Sequence, residues 1–198
     1  MKELVLASSN PHKIEEIYAI LKTLDYKILS MKAVGLEDME IIEDGDTFEA
    51  NSLIKAKTVY EATKMPAIGD DSGLMVDYLG GEPGVFSARY SGEDKNYQAN
   101  NEKLLRNLDG VPKEKRSAKF VTVITLMFSP EDIVVARGEV HGYISETLKG
   151  DNGFGYDPLF VVPEKNKTFA ELSSEEKNQI SHRANALIKL QAMLKERG

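Results

Sequence analysis

A mixed α/β fold is predicted by three features of the chain. A short, nearly continuous apolar run, Glu3–Ser8, has the character of a buried strand. It leads straight into a segment with helical period. Further on, Ser117–Phe128 and Asp132–Ile144 are the two clearest strands, joined through Ser129, Pro130 and Glu131 as a long hairpin. No internal repeat, low-complexity tract or linker divides the 198 residues, so 1–198 reads as one domain. The pattern does not give the strand order.

In chain order, the first helix is marked by Ile14, Ile17, Tyr18, Leu21 and Leu24 at steps of three and four. Ser9 or Asn10 caps it, and Pro11 suits its first turn. A second helix covers Thr47–Thr63, with Phe48, Leu53, Ala56 and Tyr60 inward. Met65–Leu79 reads as a short strand, a loop at "GDDSG" and another short strand, and Lys95–Leu108 as a helix. The stretch "LKGDNGFGYDPLF" is a glycine-punctuated loop leading into a strand. A short helix starts at Ser173 or Ser174. A longer one follows Ser181, with Ala184, Leu187, Ile188, Met193 and Leu194 mostly inward.

Composition excludes several classes. The chain is 41% hydrophobic and 29% charged, the balance of a soluble globular protein. Its net charge of −7 disfavours long contacts with nucleic acid. No apolar run reaches a membrane span, and the first ten residues are too weakly apolar for a signal peptide. A cytoplasmic location is expected. With no cysteine, thiol nucleophiles and zinc–thiolate sites are excluded.

Charge placement points to an anionic ligand. Lys13 stands in the first turn of its helix, where the macrodipole disfavours a cation by about 0.3–1 kcal/mol. His182 and Arg183 open the last helix in the same way, with Lys177 one short helix earlier. Each could simply reach solvent; together they favour a shared anion, with phosphate as the best match. Asp70 and Asp71 sit between Gly69 and Gly73, where they either build a turn or place one carboxylate in a cleft. Glu43–Asn51 brings further acids ahead of a helix. Mg²⁺ takes one or two protein carboxylates and completes its shell with phosphate and water, so one acid from each segment suffices. Glycines around Phe154 and Tyr156 allow close backbone approach and an aromatic face for a base. Neither a Walker loop nor a dinucleotide fingerprint is present.

In order, "LASSNPHKIEEI", "EDGDTFEANSLIKA", "GDDSGLMVDYLGGEPGVFSARYSG", "GFGYDPLF" and "ELSSEEKNQISHRANAL" resemble the Ham1/RdgB family of inosine triphosphate pyrophosphatases over nearly the whole chain. The resemblance implies a two-lobed α/β fold with an elongated mixed sheet, flanking helices and a central cleft. It also implies a homodimer that hydrolyses ITP, dITP and XTP to monophosphate and pyrophosphate with Mg²⁺. Carried over by position, the phosphate loop is Ser8, Ser9, Asn10, Pro11, His12 and Lys13, the metal-binding acid Glu43, and the metal-linked base Asp71. Ser72, Phe154, Gly155, Tyr156, Asp157, Lys177, His182 and Arg183 are implied substrate contacts, with Phe154 stacked on the base. Two positions depart from the family pattern: Ser9 replaces a common glycine, and Ala50 a common glutamate.

The expected chemistry is attack of water on the α-phosphorus, with Asp71 as base and Lys13 and Lys177 on the triphosphate. Arg183 or His182 is expected to meet the oxygen at purine position 6, where adenine carries an amino group. Asp70 is expected to support either the turn or the side chains that surround the reacting groups. A phosphomonoesterase and a non-hydrolysing nucleotide sensor are the rival readings.

Overall fold

Val5 and Leu6 point to opposite faces of the first strand and both are buried, so this strand is covered on both sides. The computed structural model describes residues 2–21, 26–92 and 95–196. The strands are β1 (Lys2–Ala7), β2 (Tyr26–Ser30), β3 (Ala67–Val76), β4 (Ser117–Ser129), β5 (Asp132–Ile144), β6 (Phe160–Val162) and β7 (Lys167–Thr168). They form one seven-stranded sheet in the order β2-β1-β3-β4-β5-β6-β7. β1 is parallel to β2 and β3, while β6 is antiparallel to β5 and β7, so the sheet is mixed. Among the described residues five α-helices flank it: α1 (Pro11–Leu21), α2 (Phe48–Thr63), α3 (Tyr97–Asn107), α4 (Ser174–Ile180) and α5 (His182–Glu196). Among the described residues no helix is long and apolar enough to cross a membrane.

The chain divides into two compact units whose bounds fall inside β3, β4, β5 and the first turn of α5. Unit 1 is Met1–Asp71, Thr122–Gly138 and Arg183–Gly198; unit 2 is Ser72–Val121 and Glu139–His182. In unit 1 the two faces of the sheet have separate cores. Leu4, Leu6, Ile68, Ile124 and Leu126 pack with Ile17 and Leu21 of α1 and Ala186, Leu187 and Leu190 of α5. Val5, Ala7 and Ala67 pack with Val59 of α2 and with Met31. Unit 2 has one core, in which Leu74, Val76, Phe120, Ile144 and Phe160 meet Leu104 of α3 and the ring of Phe169. Each fully buried leucine, isoleucine or phenylalanine contributes about 1.5–3 kcal/mol.

Several boundaries differ from the sequence expectation. "GDDSG" is no loop: β3 runs unbroken from Ala67 to Val76. Its acidic side chains meet cations, so the strand continues where polarity alone suggests a break. The inward face of α2 carries Phe48, Asn51, Ser52, Lys55, Ala56 and Val59. Leu53 is exposed, and so are Ile188 and Met193 of α5. α3 begins at Tyr97, two residues later than expected, because Asn96 accepts a hydrogen bond from Ala99 N and caps it. Thr47 caps α2, accepting from Ala50 N, and Ser173 caps α4, accepting from Glu176 N. Leu24 lies outside the described residues.

Candidate catalytic site

Strand alternation separates the two adjacent aspartates in unit 1. Ile68 and Asp70 share the face of β3 that looks toward α1 and α5, whereas Ala67, Gly69 and Asp71 share the face toward α2. Gly69 makes the second approach close. A Cβ there would lie 2.1 Å from the carbonyl oxygen of Ser52 and 2.8 Å from Ala56 N, both on α2.

On the α2 face Asp71 meets Lys55. The Lys55 ammonium lies 2.6 Å from Glu43 Oε2, 3.4 Å from Asp71 Oδ1, and donates to the carbonyl oxygen of Asp70 at 2.9 Å. Glu43 comes from the loop before α2, which is tied to that helix where Asn51 Oδ1 accepts from Gly45 N at 2.8 Å. Asp71 is buried, and its Oδ2 has no hydrogen-bond partner among the described residues. Burial pushes its carboxyl pKa up, more than Lys55 pulls it down. Burial works against the charge on Lys55, but Asp71 and Glu43 outweigh it and raise the pKa.

On the opposite face Asp70 is a buried hub. Lys13 of α1 lies 2.8 Å from its Oδ2, and Arg183, in the first turn of α5, lies 3.3 Å from its Oδ1 through Nε. Arg183 also pairs with Glu16 of α1. Burial opposes ionisation of Asp70, yet Arg183 and Lys13 hold its carboxyl well below the usual range. Lys13 itself is pulled down by burial, with Asp70 opposing. The two misplaced cations are therefore answered inside the chain by Asp70 and Glu16. Of the two roles expected for Asp70, the structure has it holding the neighbouring cations and not building a turn.

The loop Ser8–Lys13 is built as a cap. Asn10 Oδ1 accepts from His12 N at 3.1 Å and Lys13 N at 3.3 Å, and Ser8 Oγ accepts from Asn10 N. Ser9, Pro11 and His12 are exposed.

Unit 2 gathers the aromatic group. Gly153 and Gly155 adopt positive φ, and the turn between them is fastened by Asp157, whose Oδ2 accepts from Phe154 N at 2.9 Å. The same oxygen lies 2.7 Å from the Lys177 ammonium, which sits 4.9 Å from the centre of the Phe154 ring and 5.6 Å from that of Phe169. Lys177 is thus engaged with Asp157 and two rings. Asn101 of α3 donates to the carbonyl oxygen of Gly155, and the Tyr156 hydroxyl donates to that of Ser87. His182 stacks on Phe120 with ring centres 4.7 Å apart. Ser72, which follows Asp71 in β3, is half-buried.

Sequence reasoning missed Lys55 and Glu16. Lys55 had a signal: it falls in the stripe of Ser52, Ala56 and Val59, where a charge on the buried helix face needs a counter-ion. Magnesium fits the residues present. Among the described residues no three histidine, aspartate or glutamate side chains form a metal cluster, but one or two carboxylates suffice for this ion. Glu43 and Asp71 already converge on one cation, and a buried Asp71 oxygen is left over.

The model of the Ham1 family matches residues 4–193. A dITP/XTP pyrophosphatase of Bacillus licheniformis is 51% identical over 194 residues, covering 98% of each chain. The structure of the Staphylococcus aureus Ham1 protein is similar with a TM-score of 0.89 and 44% identity, covering 100% of both chains. A HAM1 protein from Coxiella burnetii gives a TM-score of 0.90 and 40% identity, covering 99% of this chain and 100% of its own.

Proposed function

Because the chain belongs to the Ham1 family, we propose that it hydrolyses non-canonical purine nucleoside triphosphates, ITP, dITP and XTP, and so clears them from the nucleotide pool. The products are the nucleoside monophosphate and pyrophosphate. The name dITP/XTP pyrophosphatase, borne by relatives at about half identity over almost the full length, supports the substrate class. The observation that carries the chemistry is Asp71, a buried carboxylate that converges with Glu43 on the Lys55 ammonium and keeps one oxygen unengaged.

Glu43 and Asp71 are the residues to hold Mg²⁺, which when bound offsets negative charge on phosphate oxygens and the departing pyrophosphate. Asp71 accepts a proton from the attacking water. A bond forms between that water oxygen and the α-phosphorus, the α–β anhydride bond breaks, and pyrophosphate leaves with the electron pair. Lys13 and Lys55 bring positive charge to the phosphates, while Asp70 keeps Lys13 and Arg183 paired before substrate arrives. Phosphoryl transfer depends chiefly on such positioning and charge.

The base is assigned to Phe154, whose face stacks on the purine, with His182 as donor to the oxygen at position 6. Arg183, the alternative to His182 for that role, is turned to Asp70 and Glu16. We assign it to holding Asp70. Lys177, expected on the triphosphate, instead sets Asp157 and Phe154. The homodimer implied by the resemblance belongs to the same proposal, and sedimentation equilibrium tests it.

The deciding experiment assays pyrophosphate from ITP, dITP, XTP, GTP and ATP with Mg²⁺. Pyrophosphate and the monophosphate from the first three, with at most slow turnover of ATP and GTP, support the reading. Stepwise orthophosphate release, or no turnover of any triphosphate, rejects it.

A further inference from the structure

We infer that Lys55 is an internal stand-in for the metal, holding its ligands in the nucleotide-free enzyme and releasing them when metal arrives with the triphosphate. The inference rests on the assignment of Glu43 and Asp71 as metal ligands. Three oxygens surround the ammonium: Glu43 Oε2 at 2.6 Å, the Asp70 carbonyl at 2.9 Å and Asp71 Oδ1 at 3.4 Å. They match the three donors of an ammonium. They are equally a hard-oxygen set of two carboxylates and a carbonyl, the kind that Mg²⁺ or Mn²⁺ takes. One set of oxygens thus serves two kinds of cation.

The two cannot share it. An ammonium and a dication within about 4 Å repel strongly where water is scarce. Without any cation, the negative charges of Glu43 and Asp71 would face each other with Asp71 buried, a costly arrangement. Lys55 supplies the countercharge and keeps the ligands in place. It does not saturate them, since Asp71 Oδ2 still lacks a hydrogen-bond partner. The flexible lysine stem allows the ammonium to leave with α2 unmoved. It has somewhere to go only when an anion is present. Metal alone must expel the ammonium, whereas metal with a triphosphate brings the charge that receives it. Metal and nucleotide binding are thereby coupled, and the coupling is reciprocal.

The test measures Mn²⁺ binding directly, by the electron paramagnetic resonance signal of the free ion, in the absence and presence of α,β-methylene ITP. The wild type is expected to bind Mn²⁺ weakly alone and at least tenfold more tightly with the analogue. Lys55→Met and Lys55→Gln are expected to bind Mn²⁺ alone at least tenfold more tightly than wild type, and to gain little from the analogue. Circular dichroism and melting confirm that each variant is folded, and the wild-type comparison stands even where a variant fails to fold. If the neutral variants bind Mn²⁺ no more tightly than wild type, or wild type binds it equally with and without analogue, the inference is wrong. Where Glu43→Gln still abolishes binding with analogue, only the role of Lys55 falls. If no form binds Mn²⁺ even with analogue, the metal assignment falls with it.

Discussion

Lys13 Nζ lies 2.8 Å from Asp70 Oδ2, so the cation that opposes its own helix dipole is paired with the neighbouring strand. The other carboxylate oxygen faces Arg183 Nε at 3.3 Å. One buried anion thereby joins α1, β3 and α5, and its removal leaves the buried Arg183 and the partly buried Lys13 without it.

Asp70→Asn is therefore expected to destabilise the protein by about 3–5 kcal/mol, the range for breaking a buried ion pair from one side. Urea unfolding in the presence of a chelator measures it. The pH dependence has a definite sign. Arg183 and Lys13 hold the folded carboxyl below its ordinary value, although burial opposes them. The stabilisation is complete above the unfolded carboxyl pKa, about 3.9, and is lost as pH falls through the lower folded value. The gap between wild type and variant should narrow in acid. A gap independent of pH contradicts the ion-pair account.

Asp71 lies on the other face of the same strand and has a different consequence. Asp71→Asn keeps size and shape but removes the proton acceptor. Turnover of ITP should fall by about 10²–10⁴, the usual contribution of general-base catalysis. KM should change much less. Steady-state kinetics with saturating Mg²⁺ decide this, and a variant with near-normal kcat excludes Asp71 as the base.

Much of this was legible before the structure. β1, α1, the β4–β5 pair and the caps at Asn10, Thr47 and Ser173 follow from local patterns, because apolar spacing and capping chemistry are short-range. What stayed hidden depends on pairing across the fold. "GDDSG" has the composition of a turn, and only the cations on both faces of β3 let it continue as a strand. Lys13 and Arg183 revealed that an anion was needed, but not that Asp70 and Glu16 provide it. Lys55 went unnoticed because a lysine in an amphipathic helix ordinarily faces solvent. β2 and β7 are short, and neighbouring strands define them.

Gly69 tests how α2 is placed. An added methyl would overlap the backbone of Ser52 and Ala56, which cannot give way without moving α2. Gly69→Ala should cost about 1–3 kcal/mol or more, as overpacking does. It should also lower activity, since α2 carries Lys55 and anchors the Glu43 loop through Asn51. Thermal melting and ITP turnover check both; an unshifted melting temperature contradicts the close approach.

Arg183 and His182 are adjacent but differently engaged, His182 being stacked on Phe120. Arg183 is almost fully buried and contacts Asp70 and Glu16. Arg183→Met should lower stability and reduce ITP and ATP turnover together, leaving their ratio unchanged. His182→Ala should instead narrow the preference for ITP over ATP, because it removes the donor assigned to the purine oxygen. A changed ratio in the Arg183 variant returns that residue to base recognition.

Phe154 is expected to contribute through its face. The turn that carries it is fixed by Asp157 on Phe154 N and by Asn101 on the Gly155 carbonyl, so the backbone holds its shape without the ring. Removing the ring takes away a stacking surface worth about 1–3 kcal/mol per base and one of the two aromatic partners of the Lys177 ammonium. At about 1.4 kcal/mol per tenfold change, Phe154→Ala should raise KM for ITP roughly 5- to 150-fold. Stability should be nearly unchanged, since Phe154 is only half-buried. Phe154→Tyr keeps the face and should restore most of the binding, which separates stacking from loop disorder. If KM is the same for alanine and phenylalanine, the base does not rest on this ring.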